Sequence, residues 1–144
     1  MANPRRNQGH LGIDTNVLVA YLDGDHPSHG DVTWLANRAV ALGPTIVHEA
    51  YHTMVFKMKW REPDARSALL DACSDPHNAF LNQTLRTTRA GLSLAVAHKI
   101  GGRDALILAS LLAGGVRGLV TFDKRLLELK KIEYGKSTLT VKSP

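Results

Sequence analysis

The sequence predicts an α/β domain: a three-layer α/β/α sandwich around a short, mostly parallel sheet of five strands. Three observations lead there. Short apolar runs such as "HLGID" (10–14) and "GLVTF" (118–122) alternate with stretches of helical spacing along the 144 residues. Parallel strands joined by helices need right-handed crossovers, and these lay helices on both faces of the sheet. Apolar residues make up 44% of the chain and charged residues 22%, a balance that builds one ordinary core and excludes wholesale disorder.

Taken in order, residues 1–9 are polar and basic and read as a flexible N-terminal segment; residues 10–144 read as one domain. "HLGID" is the first strand and ends in an acid. "NVLVAYL" (16–22) is a helix that stops at Asp23-Gly24-Asp25. Pro27-Ser28 opens a second helix to about Leu42, burying Trp34, Leu35, Ala39 and Val40, and Gly43-Pro44 breaks it. "TIV" (45–47) is a brief β-rich run, and helical spacing resumes at His48. Pro63-Asp64 starts a helix through Cys73, residues 78–85 suggest a strand, and 87–100 a helix closed by Gly101-Gly102. "DALILASLLA" (104–113) is apolar all round and therefore a buried helix. Residues 118–122 form a strand, 123–131 a short basic helix, and 138–142 the last strand.

Four acids carry the chemistry. Asp14 ends the first strand, Glu49 follows the second, Asp104 opens the buried helix and Asp123 follows the fourth strand. The carboxyl ends of parallel strands form one rim, where ligands bind. Each acid alone reads more simply as a cap or turn residue. Together on one rim they would repel strongly, and a hard cation with all-oxygen ligation, Mg²⁺ or Mn²⁺, would neutralise them. Such an ion can activate water against a phosphodiester.

"HEAYH" (48–52) offers a competing pattern, the His-Glu-x-x-His of zinc proteases. A zinc protease needs a third protein ligand. The extended motif would place Gly at 55 and His at 58, where Val55 and Met58 stand. Glu49 is therefore better read as a ligand of the all-oxygen site; His48 and His52 beside it read first as surface or packing residues, and second as a pair of which one lies near the metal.

"IDTNVLVAYL", "HEAYH", "GGRDALILASLLAGG" and "GLVTFDKRL" together resemble the PIN domain, most closely the VapC-type toxin ribonucleases, from about Leu11 to about Val141. The resemblance implies that Asp14, Glu49, Asp104 and Asp123 hold Mg²⁺ or Mn²⁺, with Asn16 and Thr121 supporting them by hydrogen bonds. It further implies an endoribonuclease, a homodimer and a cognate antitoxin that inserts a basic side chain among the acids. His48 and His52 are not part of the family's usual pattern. The alternatives are a PIN-fold RNA- or protein-binding module without catalysis and a stand-alone RNA-processing nuclease. A phosphoacceptor receiver domain is disfavoured because no acid lies near the third strand. A haloacid-dehalogenase-type phosphatase is disfavoured because Asn16 stands where its second acid should be.

The remaining signals concern partners and compartment. Net charge is +5, which fits a polyanionic partner such as RNA. Arg103, Lys124 and Arg125 adjoin the acids and are candidate contacts for RNA phosphates. "FKMKWR" (56–61) interleaves basic and aromatic residues, and reads either as a base-stacking stretch or, more simply, as an amphipathic helix with snorkelling lysines. Cys73 is the single cysteine, so no internal disulfide forms and a reducing, cytoplasmic setting is expected. No apolar run reaches the roughly 20 residues of a membrane-spanning helix.

Overall fold

The computed structural model describes residues 7–144. The first six residues of the expected flexible segment lie outside that range. Fifteen short elements alternate along the chain. They are β1 (Leu11–Ile13), α1 (Thr15–Leu22), α2 (His29–Val32) with a 3₁₀ turn at Thr33–Asn37, β2 (Val40–Leu42) and α3 (Pro44–His52). A π-helical turn (Thr53–Lys57) follows, then α4 (Glu62–Ser74), β3 (Ala79–Phe80), α5 (Leu85–His98), α6 (Gly102–Ala113), β4 (Gly118–Val120), α7 (Lys124–Leu129), β5 (Lys131–Tyr134) and β6 (Ser137–Lys142).

The sheet order is β3-β2-β1-β4-β6-β5. Every pairing is parallel except the β5–β6 hairpin, which is antiparallel. The chain steps outward from β1 to β2 and β3, then returns past β1 to β4. Right-handed crossovers therefore place α1–α4 on one face and α5–α7 on the other. The reversal falls between β1 and β4, and this switch point is where a crevice opens at the carboxyl ends of the strands.

Three expectations are corrected. The second strand is 40–42, not 45–47, and it ends what was expected to be a long helix from Pro27. Val40-Ala41-Leu42 is wholly buried, and a buried run this short has no periodicity to separate helix from strand. Gly43-Pro44 then starts a helix instead of breaking one: Gly43 is the N-cap of α3 and Pro44 its first residue, where a missing N–H costs nothing. The sheet has six strands, not five. β5 is an edge strand in which only Ile132 is buried, so it lacks the apolar run that announces a central strand.

The core forms between the sheet and both helix layers, with Ile13, Leu119 and Leu139 of the strands against Val17, Leu18, Met54 and Leu108 of the helices. Helix α6 is buried from Ala105 to Leu112 except for Leu106, as its all-round apolar sequence requires. Two glycines permit close approach. A Cβ on Gly12 would lie 2.6 Å from Leu111 Cδ1, so α6 rests directly on β1. A Cβ on Gly91 of α5 would lie 3.1 Å from Leu106 Cα, against backbone that cannot swing away.

This second contact generates a stability prediction. Gly91→Val forces α5 from α6 and should cost about 1–3 kcal/mol in urea denaturation despite the better helix propensity of valine. An unchanged or raised midpoint would show that the two helices do not pack as described.

Candidate metal-binding site

Asp14 follows β1 and caps α1. Its Oδ1 accepts from the Val17 N–H at 3.2 Å, and its Oδ2 accepts from the Thr121 hydroxyl. Thr121 lies one residue past β4, fully buried. The same hydroxyl oxygen accepts from the Asp123 N–H at 3.0 Å. Asp123 in turn caps α7, with its Oδ1 accepting from Arg125 N at 2.8 Å and Leu126 N at 3.3 Å. Because β1 and β4 are neighbours in register, Ile13 opposite Val120, these two acids emerge side by side.

The other two acids come from helices. Asp104 sits in the first turn of α6. Glu49 does not follow a strand as expected; it lies in the second turn of α3. Its Oε1 is buried without a hydrogen bond, although Arg103 Nε stands 3.3 Å away. That contact has the distance of an ion pair without the alignment of a hydrogen bond. All four acids line one cleft of about 370 Å³, shared with Thr15, Asn16, His52, Thr53, Lys57, Arg103 and Ile107. Larger clefts of about 570 and 640 Å³ open elsewhere and include none of the four.

The acids feel one another. Burial pushes the Asp14 carboxyl above the usual range; hydrogen bonds from Thr121 and Val17 oppose this, and the charges of Asp123 and Asp104 add to it. Burial and then the Asp123 charge raise Asp104, while Arg103 and Arg125 pull it down. Among the described residues, no three His, Cys, Asp or Glu groups converge on one coordination point. The donor set nonetheless fits a hard cation: every donor is a carboxylate, one oxygen is buried without a hydrogen bond, and burial, with the neighbouring negative charges, raises two of the groups. Side-chain rotation within the cleft would be needed to close on an ion.

Among the supporting residues, Thr121 makes its hydrogen bond to Asp14. Asn16 is exposed on the cleft wall and, among the described residues, its side chain bonds to no acid. Of the three candidate cations, Arg103 lines the cleft; Lys124 and Arg125 are exposed outside its lining. The cleft also takes in Lys57, which the sequence reading placed only within "FKMKWR", and His52, for which a place near the metal was the less favoured of two readings. His48 points elsewhere, its Nδ1 2.8 Å from the Pro44 carbonyl.

The sequence matches the PIN domain family over residues 12–132. The chain belongs to the PIN domain family. Its fold is similar to that of the sarcin–ricin-loop-cleaving toxin VapC20 of Mycobacterium tuberculosis, at 16% identity and a TM-score of 0.66, covering 78% of this chain and 89% of that one. It is similar also to VapBC2 of Rickettsia felis bound to a promoter DNA fragment, at 18% identity and a TM-score of 0.65, over 93% and 98% of the two chains. A toxin–antitoxin complex from Klebsiella pneumoniae matches at 19% identity and a TM-score of 0.61, over 78% and 86%. Comparison with curated proteins returns no significant match. The PIN fold accounts for the rim: its neighbouring central strands deliver two acids and its helices the others.

The raised Asp104 carboxyl has a consequence for stability. A carboxyl whose folded pKa exceeds its ordinary value of 3.8 binds its proton more tightly folded than unfolded. Its favourable contribution is present below that value and is lost as pH rises through the folded pKa. The metal-free Asp104→Asn variant should therefore melt above wild type at pH 7, with the gap closing as pH falls toward 4. A lower melting temperature at pH 7 would show that burial and the neighbouring Asp123 charge do not disfavour the ionised Asp104.

Proposed function

We propose that this PIN-domain protein is a metal-dependent endoribonuclease, the toxin of a VapBC-type toxin–antitoxin pair. The observation that carries the reading is the shared cleft, in which Asp14 and Asp123 are linked through one buried threonine, and Asp104 lies near enough to raise Asp14 and to feel the charge of Asp123. Asp14, Glu49, Asp104 and Asp123 would hold Mg²⁺ or Mn²⁺. When bound, such an ion supplies an activated water and stabilises charge on the phosphodiester.

The chain's own residues do the rest. Thr121 ties the Asp14 carboxylate to the Asp123 backbone and so keeps the two acids side by side at the strand ends. Arg103 pairs with Glu49 and places a guanidinium beside the cleft, where it can meet a phosphate oxygen. The net charge of +5 attracts a polyanion toward an acidic floor that would otherwise repel it. Two of the similar structures are toxin–antitoxin assemblies, which supports a cognate antitoxin for this chain; a homodimer and a cytoplasmic setting belong to the same reading. Among the described residues no helix is long and apolar enough to cross a membrane.

Cleavage of RNA by nuclease-free protein should require Mg²⁺ or Mn²⁺ and stop as EDTA is titrated in; cleavage that persists in excess EDTA contradicts the metal mechanism. Asp14→Asn should abolish turnover and also the rise in melting temperature that Mn²⁺ confers on wild type. Thr121→Val, which touches no substrate, should lower metal affinity or activity about 10–100-fold. Full activity in either variant removes that residue from the site.

A further inference from the structure

The turn after α3 is π-helical and anchored in the core by the fully buried Met54. The Thr53 N–H is shared between the Glu49 and Ala50 carbonyls. Met58 N then bonds to Thr53 O at 3.0 Å, five residues back. The turn carries this wall of the acidic cleft past the end of α3: His52, Thr53 and Lys57 all line it.

The neighbouring side chains extend this wall outward. Phe56 is 58% exposed. Its ring centroid is 4.9 Å from that of His52, the planes tilted by 37°. Lys59, the next lysine, closes the turn instead: it has φ +63° and its Nζ donates to the Phe56 carbonyl at 3.1 Å. Lys57 forms no ion pair among the described residues, whereas Arg103 across the cleft is engaged with Glu49. One uncommitted ammonium and two adjoining aromatic rings thus lead from the acids to solvent. Single-stranded nucleic acid is held by this combination, cations on the backbone and rings under the bases.

We infer that the π-helical turn is a nucleotide subsite beside the scissile phosphate, with Lys57 taking the neighbouring phosphate and the Phe56–His52 pair taking a base. The inference rests on the nuclease reading above and adds the part of the site that grips the strand. It also gives a role to two features of "HEAYH" and "FKMKWR" that the acids leave unused.

The test measures anisotropy of a fluorescein-labelled single-stranded oligoribonucleotide over a KCl series, with the full chain and Ca²⁺ in place of Mg²⁺. Both side chains are exposed, so the variants should fold. Lys57→Gln should reduce the slope of log K against log salt by about 0.7, the signature of one lost single-strand phosphate contact. Lys57→Arg should restore it, and Lys136→Gln, on the β5–β6 hairpin, should leave it unchanged. Phe56→Ala should weaken binding about fivefold or more without altering the slope, and Phe56→Tyr should bind as wild type. With Mg²⁺, Lys57→Gln should raise KM and leave kcat nearly unchanged. A wild-type slope in Lys57→Gln, or wild-type affinity in Phe56→Ala, overturns the subsite while the nuclease reading stands; the second result would point to a protein partner for Phe56. Wild-type protein that neither binds nor cleaves RNA overturns both.

Discussion

A single buried hydroxyl organises the site. Thr121 donates to Asp14 and accepts from the backbone of Asp123, so it joins the ends of two neighbouring parallel strands and the starts of two helices. The arrangement depends on register: with Ile13 opposite Val120, the residues that follow leave the sheet at the same level. A shift of one residue would turn each side chain to the opposite face. Close packing of α6 on β1 over Gly12 then brings Asp104 to the same rim.

Helix capping by Asp14 and Asp123 leaves a second oxygen on each for the proposed chemistry. Asp14 and Asp123 are helix N-caps, as the plainest reading of an Asp in those positions would have it. Capping uses Oδ1 in both. The second oxygen of Asp14 is positioned by Thr121, and that of Asp123 accepts no hydrogen bond among the described residues. Cap and ligand are therefore compatible roles. The crowding has a cost, since burial and mutual repulsion disfavour the ionised forms of Asp14 and Asp104. A destabilised cluster of this kind is common where function requires charge in one place.

Much of this was legible in the sequence because it rests on local chemistry. An acid after an apolar strand, an all-apolar helix opened by Asp104, and a Thr-Phe-Asp after a late strand each announce themselves in a few letters. What was misread depends on distant contacts. Val40-Ala41-Leu42 is a strand because it pairs with β1 and β3, and nothing within the run says so. β5 exists because Ile132 and its neighbours pair with β6. Glu49 was found on the rim but by the wrong route, from the second turn of a helix. Lys57 was read only as part of "FKMKWR", because its place beside the acids depends on how α3 packs against α1 and α6.

The similar structures share under one fifth of their residues with this chain, so likeness carries the fold and the acids must carry the chemistry. The most direct test is anomalous diffraction at the manganese edge from crystals soaked in Mn²⁺. The account predicts one or more peaks in the cleft, with carboxylate oxygens of Asp14, Asp104 and Asp123 turned inward to ligate. Peaks confined to the histidines of α3, or none in the cleft at saturating Mn²⁺, would contradict it.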